Sequence, residues 1–244
     1  MKPIVILQHE DGVSAGHFAS WLAARNLSHA LVNVHLGDAV PRTAAGFAGV
    51  CSLGGNMSAY DPLPWIDVEL ALLRDAVECG VPVIGHCLGG QLLAKALGAE
   101  VARNAFKEMG WWPVEVADRA LAADWLGTVT PPELFQWHGD AFDLPAGARR
   151  LASTPLAPNQ AFVVERHGVE HLGMQFHVEM TPELVQAWAS DAGAAQEVAE
   201  ERAATGGPGV QSPAAMCEAL ADRAEAMKVL AWRLYDRWAR GLRP

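Results

Sequence analysis

The apolar positions fall into short blocks separated by turn residues. Ile4–Leu7 is an unbroken apolar run of strand length, the pattern of a strand covered on both faces. Gly16–Arg25 reads as a short helix, Ala30–Val34 as a second strand, and Ala48–Leu53 as a third strand stopped by Gly54-Gly55. Pro64 to Glu78 predicts a longer helix. Pro64 suits its first turn, Trp65, Val68, Leu72 and Ala76 share a face, and Cys79-Gly80 ends it. Val81–Ile84 is a fourth apolar run leading into Gly85-His86-Cys87-Leu88-Gly89-Gly90, and helical spacing resumes from Leu88 to Leu97. Repeated strand–helix units with short turns predict an α/β fold with a doubly wound, mostly parallel sheet flanked by helices.

The pattern changes after about Val101. Short apolar runs at Trp111–Val116, Gln160–Val164 and Leu172–Phe176, set between Pro, Gly and Asp, predict a small β-rich insertion and edge strands. Asp191–Gln211 is rich in Ala and Glu and breaks at Gly206-Gly207-Pro208-Gly209, which reads as a flexible connector. Ser212-Pro213 supplies an N-cap and a first-turn proline. Met216, Leu220, Met227, Leu230, Leu234 and Trp238 then continue as one last helix. The division expected is an α/β domain over residues 1–190 and a helical extension over 191–244. The extension packs on that same domain, with a subunit or partner contact as the alternative.

Composition narrows the function classes. The 244 residues are 51% hydrophobic and 19% charged, with a net charge of −10 and no basic run. One sizeable core is within reach, and nucleic acid is not an expected partner, because neutralising phosphates takes clustered Lys and Arg. The apolar run at the N-terminus is too short for an export signal, and no window approaches the ~20 apolar residues of a membrane span. Cys51, Cys79, Cys87 and Cys217 lie far apart without metal-type spacing. A disulfide framework is therefore not expected, and the cytoplasm is the default compartment.

Candidate chemistry centres on Cys87. A cysteine between a buried strand and a helix, in a glycine-flanked turn, has the arrangement of a nucleophile elbow. Gly85 and Gly89 permit a sharp backbone and close approach. The N-terminus of the following helix stabilises a thiolate, whose free pKa is about 8.5. The Leu88 N–H is then placed to hold an oxyanion. A lone cysteine at a strand end is ordinarily a packing residue, and Cys51, Cys79 and Cys217 are read that way.

The string Gly85-His86-Cys87-Leu88-Gly89-Gly90-Gln91 resembles the G-x-C-x-G-x-Q signature of the class I glutamine amidotransferases. Ser52-Leu53-Gly54-Gly55-Asn56 resembles that family's oxyanion loop, usually S-G-G-P. Trp137-His138-Gly139-Asp140 resembles the W-H-x-D stretch of stand-alone, GMP-synthase-like members, and Gln175-Phe176-His177-Val178-Glu179 resembles Q-F-H-P-E. The matches reach from the first strand to about Trp188 and leave the last fifty or so residues uncovered. The resemblance implies a flavodoxin-like fold and a catalytic triad of Cys87, His177 and Glu179. It also implies an oxyanion hole from the N–H groups of Gly55 and Leu88, and substrate contacts from Gln91, Gly54, His138 and Asp140. Two departures stand out. Asn56 replaces the usual Pro, and His86 occupies a position more often apolar, which would add a polar contact near the site. Lys107–Trp111 resembles a rim segment of no assigned role.

His177 and Glu179 are two apart, so in extended backbone both point to one side. Glu179 can hold one imidazole nitrogen while the other faces Cys87, a nucleophile–base–orienter arrangement. The implied reaction is hydrolysis of the γ-amide of glutamine or a γ-glutamyl compound through a thioester, without metal or organic cofactor. The chain has neither a synthase domain nor a G-x-x-x-x-G-K-[ST] loop. It would therefore hand ammonia to a separate synthase partner or act alone as a γ-glutamyl hydrolase, and it could form a homodimer. Two other classes stay open: a metal-dependent hydrolase using His138, Asp140, His177 and Glu179, and a non-catalytic binding module on the same fold. His9, His17, His29, His35, His86, His167 and His171 are read as surface or satisfied histidines.

Overall fold

The apolar blocks of the first half become strands covered on both faces. The computed structural model describes residues 2–127 and 131–243. In order, this half contains β1 (Ile4–Gln8), α1 (Gly16–Ala24), β2 (His29–Asn33), β3 (Gly49–Ser52), α2 (Pro64–Glu78), β4 (Val83–His86) and α3 (Leu88–Ala96). Every residue of β1, β3 and β4 is buried, as parallel strands between two helical layers must be.

The second half contains β5 (Val101–Trp112), β6 (Glu115–Val116), α4 (Arg119–Trp125), β7 (Leu134–Phe142), β8 (Arg149–Ser153), β9 (Ala161–Arg166), β10 (Val169–Met174), α5 (Pro182–Ser190), α6 (Ala192–Thr205), α7 (Pro213–Met216) and α8 (Leu220–Trp238). The main sheet has the order β2-β1-β3-β4-β10-β9-β8-β6. Pairings from β2 to β10 are parallel, and those beyond β10 are antiparallel. β5 and β7 form a separate antiparallel ribbon. The mostly parallel core with a β-rich addition is the architecture that the apolar pattern predicts.

One pairing sets up the site. β10 lies parallel to β4 in the register Leu172↔Ile84, Gly173↔Gly85, Met174↔His86. The segments following Met174 and His86 therefore leave the sheet side by side at its carboxyl edge, where open α/β sheets bind ligands.

Two apolar cores lie on opposite faces of the sheet. One gathers α2 and α3 over Val5, Leu7, Val50 and Val83. The other gathers α1, α5 and α8 over Ile4, Ile6, Cys51 and Ile84. In the second core Phe18 and Trp21 of α1 meet Tyr235 and Trp238 of α8 at ring-centroid distances of 4.9–6.4 Å.

The C-terminal region departs from the sequence reading in two ways. Residues 206–209 are not a loose connector. Gly206 caps α6 in the left-handed conformation (φ 81°), and Met109 N–H donates to Gly209 O at 2.8 Å while Gln211 N–H donates to Met109 O at 2.9 Å. A Cβ at Gly209 would sit 2.3 Å from Lys107 O, so glycine serves close backbone contact there rather than flexibility. The last helix is also broken in two. Ser212 does cap, accepting from Ala215 N–H, but α7 ends at Met216 and Ala219 takes a left-handed conformation (φ 48°) before α8. The bend lets Met216 O accept from the Trp111 indole N–H at 2.9 Å. Arg223 donates to Ala215 O and Glu218 O, carbonyls the break exposes.

The packing of α8 gives a stability prediction. Trp238 is 1% exposed, and a Cβ at Gly49 would already touch its ring at 2.9 Å. Trp238→Ala should cost about 3–5 kcal/mol, whereas Val229→Ala on the exposed face of α8 (66% exposed) should stay within about 0.5 kcal/mol. Urea denaturation followed by circular dichroism checks both; equal midpoints for the two variants would contradict this packing.

Candidate active site

Cys87 is buried and sits between β4 and α3 with φ 49° and ψ −110°. This is an unfavourable backbone conformation for an L-residue. Three glycines let neighbouring backbone clamp it. A Cβ would fall 2.4 Å from Gly89 O at Gly85, 2.1 Å from Ser52 O at Gly89 and 2.3 Å from Met174 O at Gly90. Cys87 N–H donates to Met174 O at 2.9 Å, and Gly89 N–H to Leu53 O at 3.0 Å. The elbow is thus fixed from β3 on one side and β10 on the other.

His177 follows β10. It lies in irregular backbone just before a turn at 178–179, rather than in the extended strand that the i, i+2 argument assumed, yet its Nδ1 is 2.6 Å from Glu179 Oε1. His177 N–H donates to Phe135 O at 2.8 Å, and Trp188 packs edge-on against the ring at 5.1 Å. His177 Nε2 has no hydrogen-bond partner among the described residues. A Cβ placed on Gly54 would lie 2.9 Å from His177 Cε1 and 3.6 Å from Cys87 Cβ, so the two side chains flank the same glycine at close range. Burial favours neutral imidazole, but the Glu179 carboxylate and then Cys87 outweigh it and raise the His177 pKa to about 10. For Glu179, burial favours the acid, and the facing His177 and His86 lower its pKa overall. Since the folded value of His177 lies above its unfolded one, its stabilising contribution is complete below about 6.5 and is lost as pH rises through about 10. That of Glu179 is present above its ordinary range and is lost as pH falls through the lowered value.

The loop after β3 carries Gly54 and Gly55. Among the described residues neither the Gly55 nor the Leu88 N–H donates to a protein acceptor, and a Cβ at Gly55 would touch the Leu88 side chain at 3.1 Å. Gly54 turns its carbonyl away from the cavity toward His9, whose Nδ1 is 3.1 Å distant. His9 Nε2 is 2.8 Å from Glu69 Oε2, and Ser52 Oγ donates to Glu69 Oε1 at 2.6 Å. Burial lowers the His9 pKa, but Glu69 more than reverses this. Sequence reasoning left His9 among the ordinary histidines and did not single out Glu69, because sixty residues separate them and only the packing of α2 over the sheet brings them together. Asn56, where the family has proline, is bound by Glu10, which accepts from its N–H at 3.1 Å and from its side-chain amide at 2.8 Å.

Two connected lobes open at Cys87. A lobe of 280 Å³ is bordered by Gln91, His138 and Asp140, together with Arg103 and Lys107. Gln91 Nε2 donates to Asp140 O and Gln175 Oε1, and the Gln175 amide reaches Cys87 Sγ at 3.7 Å. His138 is held by Asp140 O at 3.1 Å and lies 3.2 Å from Glu108; Asp140 accepts from Tyr60. The other lobe, of 710 Å³, is bordered by His177, Trp137 and Trp188. His138 and Asp140 thus face one lobe, while His177 and Glu179 pair behind the other. Among the described residues no group of three or more His, Cys, Asp or Glu is arranged to hold a metal ion, and no helix is long and apolar enough to cross a membrane.

His86 and Tyr235 form a third buried feature. His86 Nε2 is 3.3 Å from the Tyr235 hydroxyl and its Nδ1 is 3.9 Å from Cys51 Sγ. The sequence indicated a polar contact at His86; its partner on α8 lies outside the motifs.

Comparisons with known proteins bear on the fold and the family. Residues 19–188 match the family model for glutamine amidotransferase class-I, and the chain belongs to that family. It is 32% identical over 184 residues to the putative glutamine amidotransferase-like protein YfeJ of Salmonella typhimurium, covering 73% of this chain and 76% of YfeJ. It is 37% identical over 129 residues to the glutamine-hydrolysing GMP synthase of a Parafrankia species, covering 52% of this chain but only 22% of that enzyme. A solved glutamine amidotransferase from Methylobacillus flagellatus superposes with TM-score 0.93 at 38% identity, covering 100% of this chain and 96% of the other. One from Thermotoga maritima superposes with TM-score 0.81 at 26% identity, covering 98% of each.

The buried pair predicts a titration. In the unaltered protein the His177 ring should stay protonated through pH 8, whereas in Glu179→Gln burial should win and bring its pKa down by about 2 units or more. Ring-nitrogen NMR on isotope-labelled histidine reads both values. An unaltered titration in the variant would mean that Glu179 does not govern the charge on His177.

Proposed function

We propose that the protein hydrolyses the γ-amide of glutamine or of a γ-glutamyl compound, with Cys87 as nucleophile, His177 as acid and base, and Glu179 as the group that orients and charges His177. The observation that carries this reading is the unpartnered nitrogen of a buried, carboxylate-held imidazole facing Cys87 on the neighbouring strand end. A thiolate paired with imidazolium is the reactive form of a cysteine nucleophile.

The sulfur attacks the amide carbon, and the carbonyl electrons move onto oxygen. The N–H groups of Gly55 and Leu88, free of protein acceptors, are the donors for that oxyanion. As the C–N bond breaks, His177 gives its proton to the departing nitrogen. A water molecule then loses a proton to His177, attacks the γ-glutamyl thioester, and releases glutamate and the thiolate. Gln91, His138 and Asp140 border the lobe beside Cys87 and are assigned to the α-amino and α-carboxylate groups of the substrate; Gly54 supports the loop through its bond to His9. The four cysteines are free thiols, which suits a reducing, cytoplasmic setting.

The name of the GMP synthase relatives includes glutamine hydrolysis, and this supports glutamine as a substrate. The match spans 22% of the length of the Parafrankia enzyme; transfer of the ammonia to a synthase is one reading, with free-standing hydrolysis as the second. A purely binding role is disfavoured by the strained Cys87 backbone, a costly feature for a module with no reaction to perform.

Cys87→Ala should lower glutamate and ammonia release from γ-glutamyl amides by about 10³-fold or more, while circular dichroism stays unchanged. Unaltered turnover in that variant would remove the reading. Rapid acid quench of the unaltered enzyme should trap Cys87 carrying a γ-glutamyl group, read by peptide mass spectrometry.

A further inference from the structure

The two lobes that meet at Cys87 differ in what they can do with the two halves of an amide. They share Gly55, Asn56, Cys87, Trp137 and Glu197 at their junction. His177 borders only the lobe of 710 Å³, and Gln91, His138 and Asp140 border only the lobe of 280 Å³. In amide cleavage the nitrogen must lie beside the group that protonates it. The nitrogen side of the scissile bond therefore faces the larger lobe, and the amino-acid side faces the smaller one. The smaller lobe has Arg103 and Asp140 on its wall, besides the Lys107–Glu197 ion pair, charges of both signs that complement a zwitterionic glutamyl group. Ammonia as leaving group would use almost none of the larger lobe.

The walls of the larger lobe define what it would accept. Trp137, Trp188, Leu184 and Ala194 supply apolar surface. Trp137 and Trp188 meet edge to face at 5.6 Å, and the Trp137 indole N–H is fixed by Glu197 at 3.1 Å. Besides Cys87 and His177, the titratable groups on this wall are Glu10, Asp191 and Glu197, and neither Lys nor Arg borders it. Glu197 is neutralised by Lys107. Glu10 and Asp191 accept from Asn56 and Gly193, and among the described residues neither has a cationic partner. A leaving group carrying a carboxylate would meet like charge here, whereas a neutral or cationic amine would not.

We propose that this larger lobe is a leaving-group subsite and that the enzyme acts on γ-glutamyl amides of amines with an aromatic or aliphatic body and no negative charge. The proposal rests on the cysteine hydrolase reading above. The γ-amide bond is cleaved with water, giving glutamate and the free amine, and no other co-reactant is involved.

The test compares three substrates on the full chain: glutamine, γ-glutamyl-2-phenylethylamide, and γ-glutamylphenylalanine, which differs from the second only by a carboxylate on the leaving group. The phenylethylamide should be hydrolysed with kcat/KM at least equal to that for glutamine and about tenfold or more above that for the peptide. Ala187→Trp, an exposed position on α5 at the edge of the lobe, should lower the ratio of phenylethylamide to glutamine kcat/KM by about tenfold. Hydrolysis of glutamine with an inert phenylethylamide would overturn the subsite and leave the lobe as an exit for ammonia toward a partner. Equal rates on amide and peptide would overturn its charge selectivity, and an unchanged ratio in Ala187→Trp would overturn its location. If all three substrates are inert and no thioester forms, the hydrolase reading itself falls, a result distinct from the others.

Discussion

At Cys87 the chain must pass from a buried strand into a helix through a backbone conformation that costs about 1–3 kcal/mol for an L-residue. Nothing in the cysteine side chain offsets that. The compensation comes from backbone: Cys87 N–H bonds to Met174 O and Gly89 N–H to Leu53 O, and three glycines admit the carbonyls of Ser52, Gly89 and Met174 at distances a Cβ would forbid. The elbow therefore exists only when β3, β4 and β10 are already side by side. The segment that ends in His177 helps to hold Cys87 in its strained state, so formation of the fold and alignment of the two side chains are one event.

The charges near the elbow are organised by which face of the sheet they occupy. On the α1 and α8 face, Glu179 holds His177, and His86 and Tyr235 lie deeper. On the other side of the cysteine, Glu69 holds both His9 and Ser52, and His9 reaches Gly54. Each pair buries a carboxylate that would be costly alone. In each, the partner is a histidine whose second nitrogen is directed to something useful: the open cavity for His177, a carbonyl of the loop for His9. One buried pair thus orients a reactive ring and the other orients backbone, and both need a dry interior to be strong.

Most of this was legible because the first half of the chain repeats one physical unit. Ile4–Leu7 and the Pro64–Glu78 helix can be read from apolar spacing alone, and the glycines around Cys87 mark the elbow. His177 and Glu179 could be paired because local geometry relates neighbours two apart, although they meet where the chain enters a turn instead of along a strand. Less legible was anything that depends on partners distant in sequence. His9 and Glu69 carry no local signature, and Tyr235 looks like one more apolar position on an amphipathic helix. The glycines at 206–209 read as flexible because sequence displays their freedom and hides the backbone of β5 that uses it. Helical spacing continued through residues 217–219, but the carbonyl contacts to Trp111 and Arg223 favoured a break there.

The same limit explains why a family signature defines the reacting atoms better than the molecule on which they act. Cys87, His177 and the glycine loops lie where strands end, and β10 beside β4 fixes their separation. Apart from Trp137, which lies in the W-H-x-D stretch on β7, the walls of the larger lobe come from elements outside the family's motifs: Leu184 and Trp188 from α5, and Asp191 and Glu197 from the N-cap and middle of α6. These surfaces can change their apolar area and charge without disturbing the elbow, since no backbone contact that holds Cys87 passes through them. Chemistry and selectivity are thereby carried by separable parts of one chain: backbone contacts at the strand ends hold the elbow, while α5, α6 and β7 supply the negative, tryptophan-lined side of the cavity.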